Sequence, residues 1–102
     1  LYEFVRASTA PGPYQGLSAH CLDIPFAFDL LHTEGVTAVE GANPPQQLAT
    51  AIHTAWVNFV KNGDPGSNWP RYSLDKRETM IWDDSSHIVA DPFAAQRPLW
   101  LR

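Results

Sequence analysis

Four histidines, His20, His32, His53 and His87, and one cysteine, Cys21, are the side chains of this sequence best suited to chemistry near neutral pH. An imidazole with an ordinary pKa of ~6.5 accepts a proton in one step and returns it in the next. His20 has the most suggestive setting of the four. It follows a loop-forming stretch, precedes the apolar run Ile24-Pro25-Phe26-Ala27-Phe28, and has the carboxylate of Asp23 close by. His53 falls on the polar side of a helical pattern, while His32 and His87 sit beside loops or turns, where imidazoles without a role are common.

Three kinds of chemistry compete for these residues. A metal centre needs three or four convergent ligands, and His20, Asp23, His32 and Glu34 follow no recognised ligand spacing, so no metal is expected. A Cys21–His20 dyad is disfavoured because adjacent side chains diverge, and Cys21 is expected to be a small buried filler. Serine-based acyl transfer needs a nucleophile on a sharp turn, and neither G-x-S-x-G nor a glycine-rich oxyanion segment occurs in the 102 residues. Taken from its residues alone, the chain supplies at most one member of a triad.

The elements that must position His20 can be read in order. Leu1-Tyr2-Glu3-Phe4-Val5 is aromatic and β-branched, which predicts a short strand of a larger sheet. Residues 8–16 hold two Pro and two Gly in nine positions and form the loop that delivers His20. Asp23 is placed to cap a short helix with Pro25 in its first turn. Residues 32–41 are expected to be a surface loop, and the most mobile part of the chain. The clearest element is a helix over about 44–61, with Asn43 as N-cap, Pro44 at the first helical position and Asn62-Gly63 at its end. Its periodicity puts Leu48, Ile52, Ala55 and Phe59 on one buried stripe, with Ala51 and Trp56 at the edges. Trp69-Pro70-Arg71-Tyr72 reads as an extended anchor. Residues 79–83 and 87–91 read as strands of a hairpin around Asp84-Ser85-Ser86, and 92–102 as a last short helix.

Bulk properties narrow the partners. The chain is one small domain or a piece of a larger one, and its 44% hydrophobic content is that of a folded chain. A net charge of −4 with no basic cluster argues against nucleic acid. No apolar run approaches the ~20 residues needed to span a bilayer, and Leu1 opens directly on strand-like sequence, so neither membrane insertion nor an included signal peptide is expected. A single cysteine rules out an internal disulfide and leaves the compartment unassigned.

Residues 16–29, G-L-S-A-H-C-L-D-I-P-F-A-F-D, resemble the catalytic-histidine segment of type B carboxylesterases, the cholinesterase-like and para-nitrobenzyl esterase-like branch of the α/β-hydrolases. Two further stretches agree in the same order: Trp56 to Pro65 is similar to the family's W-x-x-F-x-x-x-G-D-P, and Trp69 to Tyr72 to its W-P-x-Y. Cys21 and Asp23 depart from the family, which often has Gly or Ala after the histidine and more often Glu at the later position. The resemblance implies an α/β fold, with residues 1–102 as the C-terminal portion of a carboxylesterase domain: a late sheet strand, the catalytic-histidine loop, a long amphipathic helix and a C-terminal hairpin. It implies a serine esterase whose nucleophile, oxyanion glycines and triad acid lie earlier in the chain. His20 is then the general base, Asp23 has a capping or supporting role, and no cofactor is needed. The implied partners are a small-molecule ester and the remainder of the hydrolase domain. The 102 residues alone are expected to be inactive, and to self-associate through surfaces the parent would cover. The competing expectations are a cholinesterase-like adhesion or binding domain without chemistry, and a small independent interaction module.

Overall fold

The long helical pattern folds as α3, Gln46–Asn62, and its ends show how local chemistry sets a helix. It starts later than the Asn43 cap predicts. A residue preceding proline is pushed out of helical backbone, so Pro44, followed by Pro45, stays extended and Pro45 takes the N-cap position at φ −70° and ψ 111°. Asn43 instead adopts a left-handed φ of 53°. The stop is as expected: Gly63 is left-handed at φ 72° and its N–H donates to the Phe59 carbonyl. The buried stripe comprises Leu48, Ala49, Ile52 and Ala55. Phe59, expected on that stripe, is 52% exposed in the last turn.

The computed structural model describes residues 1–101. Around α3 lie strand β1 (Tyr2–Phe4), the short helices α1 (Ile24–Ala27) and α2 (Val36–Glu40), strands β2 (Glu78–Trp82) and β3 (His87–Ala90), and a 3-10 turn at Arg97–Leu99. The sheet order is β1-β2-β3. β1 and β2 are parallel, pairing Tyr2 with Met80 and Phe4 with Trp82, and the crossover between them carries all three helices. β2 and β3 form the expected antiparallel hairpin, with Glu78 opposite Ala90 and Ile81 opposite His87. Ser86 closes its turn, donating to the Asp83 carbonyl and accepting from the Asp83 N–H.

The core unites Phe26, Leu31, Val36, Leu48, Ala49, Ile52, Ala55, Met80 and Trp82. An edge-to-face aromatic series borders it, with centroids 6.1 Å apart for Trp56 and Tyr2, 5.9 Å for Tyr2 and Trp69, and 5.7 Å for Trp69 and Trp82. Each such pair contributes about 0.5–1.5 kcal/mol beyond its buried area. Trp69 also donates its indole N–H to the Leu1 carbonyl, so the W-P-x-Y segment is the anchor its composition predicts.

Two further expectations are corrected. Residues 32–41 contain α2, whose ends Val36 and Glu40 are buried, because a buried ion pair draws this segment onto the molecule. Cys21 is exposed; it turns the chain at φ 70° and directs its side chain outward. The tail holds a short helix as expected, a 3-10 turn at Arg97–Leu99 preceded by turns over 92–96, and Arg102 lies outside the described residues.

Candidate active site

The loop bearing His20 begins where β1 ends. Ser8 gathers both of its legs: its N–H donates to the Leu17 carbonyl at 3.0 Å, and its carbonyl accepts from the Gly16 N–H at 2.9 Å. Turns at Gln15 and Leu17 close the tip. Ser18 then returns the chain to the sheet, its Oγ donating to the Phe4 carbonyl at 2.9 Å. His20, two residues on, is thereby carried to the C-terminal end of β1, where open α/β sheets place their ligand sites.

Beyond His20 the chain is pegged by apolar side chains. Leu22 is buried, and Phe26 is fully buried with its ring 5.3 Å from that of Phe4. Burying a side chain of this size contributes about 1.5–3 kcal/mol. Pro25 occupies the first turn of α1, as its position predicts. Asp23 stands at the N-cap but makes no side-chain cap bond. Its Oδ2 accepts from the Tyr2 hydroxyl at 3.0 Å instead, so the carboxylate supports α1 by tying it to β1. Burial, and then this hydrogen bond, hold the Tyr2 phenol above its ordinary pKa.

The imidazole of His20 is exposed, and among the described residues it has no side-chain hydrogen-bond partner. The apolar cover expected from the sequence belongs to Leu22 and Phe26 rather than to His20. The other histidines have local duties or none visible. His53 is half-buried rather than on a free polar face, and its Nδ1 meets the Ala27 carbonyl at 2.9 Å, linking α3 to α1. His87 Nδ1 meets the Ser85 carbonyl at 2.9 Å in the hairpin turn. His32 is exposed. No group of three or more His, Cys, Asp or Glu side chains suited to a metal forms among the described residues.

Two buried charges were not singled out by sequence reasoning. Arg6, 6% exposed, places Nη1 3.3 Å from Oε2 of Glu40 and Nε 3.1 Å from Oδ1 of Asp84, with its guanidinium 5.6 Å from the centre of the Phe26 ring. Glu40 is fully buried, and its second oxygen, Oε1, has no hydrogen-bond partner among the described residues. Burial pushes its pKa up to about 7, with Arg6 pulling it down and Asp23 adding an upward push. A cleft of about 690 Å³ between α3 and β3 is walled by Trp69, Trp82, Asn58 and Ile88 and does not include His20.

No protein-family model matches the chain. Para-nitrobenzyl esterase of Bacillus subtilis is 37% identical over 82 residues, 76% of this chain and 17% of that protein. Phenmedipham hydrolase of Pseudarthrobacter oxydans is 30% identical over 84 residues, again 76% of this chain and 17% of the relative. A thermophilic PNB esterase superposes with a TM-score of 0.82 at 31% identity, covering 95% of this chain and 20% of that one. Over about three quarters of its length the chain matches a segment of type B carboxylesterases. A carboxylesterase of Geobacillus stearothermophilus gives a TM-score of 0.73 at 28% identity, covering 95% of this chain and 20% of the other. The fold is accordingly a piece of an α/β-hydrolase, the class its motifs predict. The chain spans about one fifth of the length of the relatives it matches.

Proposed function

We propose that the chain supplies the general base of a carboxylic ester hydrolase, with His20 in that role. What supports the reading is an exposed imidazole, without a side-chain hydrogen-bond partner among the described residues, on a cross-braced loop that Ser18 ties to the end of β1. In the full-length protein His20 takes the proton of a serine hydroxyl as that oxygen attacks the ester carbonyl. It then protonates the departing alcohol, and water repeats the two steps on the acyl-enzyme. Asp23 serves the Tyr2 hydroxyl, so the orienting acid comes from elsewhere in the protein. The substrate class is a small ester, and the name of the Bacillus relative suggests a para-nitrobenzyl ester as the first probe.

The 102 residues contain no G-x-S-x-G, so a base without its nucleophile leaves them inactive alone. Their exposed Trp56, Phe59 and Val60 are surfaces for the remainder of the hydrolase domain, through which the isolated segment self-associates. The test is hydrolysis of a para-nitrobenzyl ester by the full-length protein, its His20→Ala variant and the isolated segment. The expected result is turnover by the full-length protein, a fall in kcat on the order of 10⁴-fold or more in the variant, and none by the segment. Full turnover in the His20→Ala variant contradicts the reading, and a full-length protein without turnover favours the binding-domain alternative.

A further inference from the structure

We propose that Arg6 is a positioning residue for His20, a clamp whose guanidinium locks the exit of β1 to three other elements so that the loop presents the imidazole in one place. The inference rests on the reading of His20 as the general base. Its geometry is independent of that reading.

Arg6 meets each neighbour with a different part of one rigid group. Nη1 faces Glu40 at the end of α2, Nε faces Asp84 in the β2–β3 turn, and the guanidinium lies over the ring of Phe26 in α1. Two residues on, Ser8 donates from Oγ to the Val39 carbonyl at 2.6 Å and accepts from the Ala10 N–H. The Thr9 N–H donates to the Glu40 carbonyl at 3.2 Å. The end of α2 therefore receives both the side chain of Arg6 and the backbone of the loop. The approach is close: a Cβ on Gly41 would stand 2.9 Å from the Ala10 nitrogen, and its φ of 96° favours glycine. From this base the path to His20 is short and continuous, through the Ser8 bonds to Gly16 and Leu17 and the Ser18 bond to Phe4.

A planar fork with fixed donors holds two carboxylates at set angles, whereas a lysine ammonium is a single point charge on a flexible stem. Arg6 is buried, so it offers almost no surface to a ligand and acts on His20 only through position. Its loss therefore lowers kcat while KM stays constant, because a base displaced by about 1 Å loses up to roughly 100-fold in rate.

The experiment uses the full-length protein and its Arg6→Met, Arg6→Lys and Glu40→Gln variants. Kinetics on a para-nitrobenzyl ester are combined with hydrogen–deuterium exchange. Arg6→Met is expected to lower kcat tenfold or more with KM within twofold and to raise deuterium uptake across 8–20, leaving α3 and β2 protected. Arg6→Lys is expected to recover part of the loss. Glu40→Gln, which keeps side-chain volume, should move kcat and uptake in the same direction and decides the matter if Arg6→Met fails to fold. A folded variant with unchanged kcat, or uptake rising evenly over the chain, overturns the clamp. If the wild-type protein hydrolyses no ester, the functional reading fails instead, and localised uptake at 8–20 still decides the clamp.

Discussion

Two sides of this molecule are held together in different ways. Around α3 and the sheet, stability is spread over many apolar contacts: Ile52, Ala49, Met80 and Trp82 are buried, and three aromatic pairs interlock edge to face. Around the His20 loop it is concentrated in a few directed bonds converging on Arg6, Ser8 and the end of α2. Contacts of the first kind are non-directional and add burial without any one of them fixing a position. Those of the second kind fix position, and losing one moves what it positioned. The apolar side thus sets how stable the fold is, and the polar side sets where the His20 imidazole stands.

Phe26 belongs to both sides, packing in the core and lying under the Arg6 guanidinium, so its removal should erase the distinction. Phe26→Ala is expected to cost about 3–5 kcal/mol in denaturant unfolding, with exchange protection falling in α3 and in the loop together. Protection lost only in the loop would show that the apolar side stands without it.

The buried acid sharpens the comparison through pH. Glu40 ionises near pH 7 in the fold and near 4.5, its ordinary value, when unfolded, with Arg6, Asp84 and Asp23 as the charged groups around it. Between those values the unfolded chain has released a proton that the folded chain retains, so stability declines as pH rises from about 4.5 to about 7 and levels off above. The change from this group is about 3 kcal/mol, and Glu40→Gln should abolish it. Measuring unfolding free energy against pH for both proteins tests this, and parallel curves would show that Glu40 is not the titrating group.

The smallest expected effect falls on the polar side alone. Ser18→Ala removes one exposed hydrogen bond to the Phe4 carbonyl and should lower stability by only about 0.5–1.5 kcal/mol, with faster exchange limited to the loop near His20. A loss spread through the sheet would mean that Ser18 braces β1 rather than the loop.

What the sequence discloses follows the same division. The apolar side is legible because its signals are local: the stripe through Leu48, Ile52 and Ala55, the Gly63 stop, and strand-forming residues on either side of a polar turn. The setting of His20 is legible too, since the loop before it and the pegs after it are contiguous in sequence. The clamp is not. Arg6 and Glu40 are 34 residues apart and neither carries a local signature; only burial, which depends on how α2 folds back, turns two ordinary charges into a pair. The same dependence hid α2 itself. Asn43 misled for a different reason, because two consecutive prolines overrode a good capping residue, and Phe59 because periodicity says which face a residue shares but not how far the neighbouring packing extends.

The most direct measurement is the first turnover. Rapid mixing of the full-length protein with a para-nitrobenzyl ester in excess, at pH 8, should release alcohol in a burst equal to the enzyme present, and His20→Ala should show no such burst. A variant burst of the same amplitude and rate would contradict the assignment of His20 as the base that activates the nucleophile.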